Sequence, residues 1–147
     1  RVAPEPKFAP APRQVDIETL KAVLVNRMHV LRDYSSKVTL PVFRREAAVD
    51  ASAREVSPRL LIRRPQLLDD SARARLASLL ERNQALRTVH EFRQQLVAVW
   101  EGAHMSNEAL VRQLREWCSR AEASGIEALQ EFSARLRGYL PTPGYAV

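Results

Sequence analysis

The 147-residue sequence contains one cysteine, four glycines, and aromatic residues at only 6%. Cys118 alone forms no internal disulfide, so no disulfide framework holds the fold and a reducing compartment is expected. Four glycines are too few for the many turns of a β-sandwich or barrel of this length, which favours helices. There is no Gly-rich phosphate loop and no G-x-S-x-G elbow. The three histidines, His29, His90 and His104, share no helical turn, so they do not form a ligand cluster of the zinc type. No apolar run approaches the ~18–20 residues that span a bilayer, and no secretory h-region is present. Lysine is scarce too: all but three of the 23 basic side chains are arginine.

What is present is helical periodicity. Leu86, Val89, Phe92, Leu96, Val99 and Trp100 recur at helical spacing, with Asn83 as N-cap and Gly102 as the stop. Ser106 caps a second helix whose stripe is Leu110, Val111, Leu114, Trp117 and Cys118, and Gly125 ends it. The short link predicts a hairpin onto which the rest of the chain packs. Upstream, Asp16 caps a long helix from Ile17 to about Glu46, carrying Ile17, Leu20, Leu24, Met28, Leu31, Val38 and Val42. Pro41 is expected to kink it by removing one backbone bond and crowding the preceding turn. Ala47 to Ser57 is a weak connection. Ser57-Pro58 opens a short helix closed by Pro65, and Asp69 or Asp70 caps a helix carrying Leu76, Leu79 and Leu80. A last helix, Ile126 to Arg137, places Ile126, Leu129, Phe132 and Leu136 on one face.

The expected fold is therefore an all-α bundle of about five helices with a long, Pro-kinked first helix. Residues 1–14 (RVAPEPKFAPAPRQ) read as a Pro/Ala-rich linker, 15–139 as a single helical domain and 140–147 as a flexible tail. A chain that opens on Arg1 behind such a linker is expected to be a piece of something longer. The core is expected at Leu24, Leu86, Phe92, Leu96, Trp100, Leu114, Trp117 and Phe132. The long first stripe needs a partner, either the hairpin or a second copy of the chain.

With 23 basic and 17 acidic side chains the formal net charge is +6, which suits nucleic acid, an acidic partner or an anionic membrane surface. Arg44, Arg45, Arg54, Arg59, Arg63, Arg64, Arg73 and Arg75 make the middle of the chain basic. Of these, Arg44, Arg45, Arg59, Arg63, Arg64 and Arg73 are the candidate anion contacts, and a plain solvated basic face stays open beside the functional readings. Asp69–Asp70 and Glu127–Glu131 read as a cap and a solvated face rather than acid–base pairs. Cys118 reads as a buried, inert thiol. No catalytic or metal-binding residue emerges.

Three segments carry resemblances: DIETLKAVLVNRMHVLRDYSSKVTLPVFRRE, LLIRRPQLLDDSARARLASLLERNQALRTVHEFRQQLVAVWE and LREWCSRAEASGIEALQEFSARLRGY. Together they resemble the C-terminal cytosolic extension of bacterial membrane fatty-acid desaturases. That resemblance implies a non-catalytic structural or docking domain on the cytoplasmic face, tethered to an inner-membrane body. The body would hold a di-iron centre in histidine boxes, none of which occurs in this chain, and an electron donor or anionic membrane would be the partner. LLERNQALRTVHEFRQQL and LREWCSRAEASGIEALQEFSARLR also resemble the helical segment of ISL3-type transposases. This second resemblance implies DNA as partner, with an Asp, Asp and Glu active site whose final Glu lies beyond this helical segment. The desaturase resemblance spans more of the chain and is the leading expectation; a free-standing basic interaction module is the third.

Overall fold

The computed structural model describes residues 27–101 and 106–140, and every described element is helical. Helix α1 (Arg27–Tyr34) passes through a π-helical turn (Ser35–Thr39) into α2 (Leu40–Val49). A short α3 (Ala51–Arg54) and two 3-10 turns (Pro58–Leu61 and Pro65–Leu67) lead to α4 (Asp70–Arg82). Helices α5 (Gln84–Glu101), α6 (Asn107–Glu122) and α7 (Glu127–Arg137) complete the bundle. Leu24 and the helix start at Asp16 lie outside the described residues, as do the linker and Gly102.

The sequence places the helix ends through side-chain caps. Asp69 accepts from the Ala72 N–H at 2.7 Å, Ser106 from Ala109 N–H at 3.1 Å and Ser57 from Arg59 N–H at 3.3 Å. Each satisfies a backbone donor that the first helical turn leaves without a partner. Gly125, at φ +78°, makes the left-handed step between α6 and α7, a conformation that side chains with a Cβ resist.

Pro41 disturbs the first helix as expected, and the disturbance takes the form of a π turn. The helix continues across it, and the turn just before it widens: the Leu40 N–H reaches back five residues to the Ser35 carbonyl. Proline has no N–H to donate and its ring crowds the carbonyl of the preceding turn, and a π turn relieves both with one extra residue in the ring. Met28 departs from expectation, because it is 57% exposed. The described inner face is Val30, Leu31, Tyr34, Val38 and Val42, all buried within this chain, so this part of the stripe is not open to a second copy. The connection after Val49 holds the short α3, and the segment after Ser57 is 3-10 rather than α.

Leu86, Leu96, Leu114, Trp117 and Phe132 are buried, whereas Phe92 and Trp100 are only partly buried against the core. At its centre four rings from four helices meet edge to face. Trp117 stands 6.1 Å from Tyr34, 5.7 Å from Phe92 and 5.8 Å from Phe132, and Tyr34 stands 5.3 Å from Phe132. Such pairs contribute about 0.5–1.5 kcal/mol each beyond their buried area. The polar ends are satisfied: Tyr34 O–H donates to the Val89 carbonyl at 2.6 Å, and Trp117 Nε1–H to the Phe92 carbonyl at 2.9 Å. Tyr139 and Leu140 are buried behind α7, so the ordered packing reaches at least Leu140.

A second knot sits where α4 meets α5. Asn83 is buried; its Oδ1 accepts from the Leu86 N–H at 2.9 Å. Its amide donates to Glu46 at 3.0 Å and to Asp50 at 2.9 Å. One side chain thus caps α5 and fastens it to the end of α2.

Candidate functional site

The arginines chosen from the sequence are all exposed, but the structure divides them. Arg54 is committed: its guanidinium donates to the Ala47 carbonyl at 2.7 Å. Arg73 is held by the Pro65 carbonyl at 3.2 Å and by Asp70 at 3.7 Å. Arg45 and Lys37 line a shallow depression of about 320 Å³ against Glu127 and Glu131, where the charges cancel. Arg44, Arg59, Arg63 and Arg75 stand in solvent.

Arg64 is different. It borders a cleft of about 410 Å³ between α1, the Pro65–Leu67 turn and α5, together with Arg27, Arg32 and Arg93. Among the described residues Glu101 is the one carboxylate in the lining, and Met28, Leu31, Ile62 and Val97 supply apolar wall. The sequence reading missed Arg27, Arg32 and Arg93. Arg93 had a legible signal: it sits between Val89 and Val97 at four-residue steps, on the flank of the apolar stripe.

Arg93 is half-buried, and its Nε has no hydrogen-bond partner among the described residues. Burial lowers its pKa, opposed by the nearby Tyr34 hydroxyl. Burial also raises the Tyr34 pKa well above its ordinary value, with Arg93 pulling the other way. His90, one turn before, contacts Gln94 at 3.2 Å. Its pKa is lowered, by burial first and then by Arg93.

Elsewhere the ionisable groups serve the fold. Asp33 is fully buried and paired with Arg135 at 3.0 Å. Asp50 and Asp69 are caps, and Glu122 pairs with Arg137. Cys118 is buried, and that burial raises its thiol pKa. No group of three or more His, Cys, Asp and Glu side chains among the described residues could hold a metal ion. No described helix is long and apolar enough to cross a membrane.

A family model for transposases of the ISL3 type matches residues 20–141. The chain belongs to the ISL3 transposase family. It is also similar to the transposase for insertion sequence element IS1001 of Bordetella parapertussis, at 42% identity over 82 residues, or 55% of this chain. It spans only 20% of that transposase's length. No solved structure matches.

This corrects the leading expectation from the sequence. The desaturase resemblance is overturned by the transposase match over nearly all of the described chain. The membrane body, the electron donor and the di-iron centre entered only through that resemblance and lose their support with it. The physical reason for the error is plain. The segments that suggested it are amphipathic helices of leucine, arginine and glutamate with no catalytic signature, and unrelated helical bundles share that pattern. Within the ISL3 transposase chain, the helical segment described above is what the weaker resemblance implied.

Proposed function

We propose that this chain is the helical, DNA-gripping portion of a transposase, holding duplex through its phosphate backbone. Support comes from the match to the ISL3 transposase family, from the net charge of +6, and from the solvent-facing Arg44, Arg59, Arg63 and Arg64. The family match carries the reading, because exposed arginines alone are compatible with any anion. Arginine presents a planar fork that meets phosphate oxygens two at a time, which fixes the register of protein on DNA without reading bases. Asp33, Asp50, Asp69 and Glu122 are each occupied in a cap or an ion pair, so these four carboxylates serve the fold.

Each phosphate neutralised releases condensed counterions, so affinity falls with salt at a log–log slope of about −0.9 per contact. Four contacts predict a slope of about −3.6. The test is duplex binding by the intact chain across a salt series, compared with Arg63→Glu/Arg64→Glu. The double variant should bind more weakly and lose about two from the slope. Unchanged affinity and slope in that variant would remove these two arginines from the interface.

A further inference from the structure

The arginine cleft is more specific than a basic surface. Like charges drawn together repel, and among the described lining residues a single acid, Glu101, stands against four arginines. Arg93 lines the cleft from α5 while half-buried, so the packing of its stem holds its charge at the cleft wall. The volume of about 410 Å³ falls in the range of roughly 300–1,000 Å³ typical of small-ligand clefts. Its lining pairs cations with apolar wall, Ile62 and Val97 among it. Cation beside apolar surface is the chemistry that single nucleotide units meet: phosphate on arginine, sugar or base on carbon.

We propose that this cleft seats one nucleotide unit of the bound nucleic acid, its phosphate on Arg64 and Arg93 and its apolar surface against Ile62 and Val97. Arg27 and Arg32 flank the seat and draw the strand to it. This rests on the DNA-gripping reading above and assigns it a defined pocket. The phosphate can be internal to a strand or lie at its end, and the two sources separate in the assay.

The experiment is fluorescence anisotropy of the intact chain with a labelled duplex, a short single strand, and the same strand bearing a 5′-phosphate. Arg64→Glu and Arg93→Gln test the charge. Val97→Phe fills the cleft without altering charge, so it separates a seated ligand from a general electrostatic field. The expected result is a loss of about tenfold for Arg64→Glu and Arg93→Gln, with the salt slope reduced by about one for each, and a clear loss for Val97→Phe as well. A gain from the 5′-phosphate that these variants abolish identifies a strand end in the cleft; equal effects on both strands identify an internal phosphate. If Arg93→Gln or Val97→Phe loses helicity, the exposed positions, Arg32→Glu and Arg64→Glu, decide. Wild-type affinity in the cleft variants, alongside weakened binding in Arg44→Glu/Arg59→Glu, overturns the cleft and leaves the DNA reading standing. Failure of the wild-type chain to bind any of the three probes at low salt overturns both.

Discussion

Replacing Asn83 by alanine removes three hydrogen bonds at one buried point. The cap on α5 is worth about 1 kcal/mol. The two amide bonds to Glu46 and Asp50 reach carboxylates that are only partly buried, so together they contribute about 1–2 kcal/mol rather than the full value for buried charged partners. The expected loss is about 2–3 kcal/mol, or a fall in Tm of about 5–10 °C for a chain of this size. Thermal melts followed by far-UV circular dichroism measure it. Asn83→Asp separates the two roles, because aspartate can still cap the helix but turns its second oxygen toward two carboxylates. That variant should also be destabilised at neutral pH, and its deficit should narrow as acid protonates the cluster. The acid limb of the wild type follows from Asp50. The Ser52 hydroxyl first, and then the Asn83 amide, hold its carboxyl at about 2, below the ordinary 3.8. A folded-state pKa below the unfolded one gives stability that is present above about pH 4 and is lost as pH falls toward 2. Asn83→Ala should therefore show a shallower acid limb. An Asn83→Ala chain within about 0.5 kcal/mol of wild type would refute this reasoning, as would an Asn83→Asp chain equal to wild type at neutral pH.

Tyr34→Phe should cost about 1–2 kcal/mol in a denaturant titration, because the Val89 carbonyl loses its buried donor while the ring packing survives. Arg135→Ala should cost about 3 kcal/mol in the same titration, since it leaves the fully buried Asp33 carboxylate without its ion-pair partner. Gly125→Ala should lower stability by about 1 kcal/mol through backbone strain alone, because no atom stands within 4 Å of the added methyl.

Local features were legible in the sequence, and distant ones were not. The caps at Asn83, Ser57 and Ser106 act within three residues, and the spacing revealed them, while between Asp69 and Asp70 the structure chooses Asp69. The helical stripes likewise placed Leu86, Leu96, Leu114 and Trp117 inside. Periodicity could not show that Tyr34 outranks Met28 on α1, since its value comes from the Val89 carbonyl 55 residues away. It could not pair Asp33 with Arg135, 102 residues on. A proline signals disturbance, but the form it takes depends on what packs around it, so the π turn before Pro41 stayed hidden. The arginine cleft has the same cause. Arg64 stood out within a basic run, while Arg27 and Arg32 on α1 and Arg93 on α5 reach it only through folding. The family error was of another kind: amphipathic periodicity specifies a bundle and says little about which enzyme carries it.

The most direct measurement is binding of the intact chain to duplex DNA and to anionic vesicles, side by side, over one salt series. Duplex binding with a steep log–log slope of about −3 to −4, together with weak or absent vesicle binding, is the predicted result. Vesicle binding that matches or exceeds a shallow, weak DNA response would contradict a DNA-gripping role for these helices.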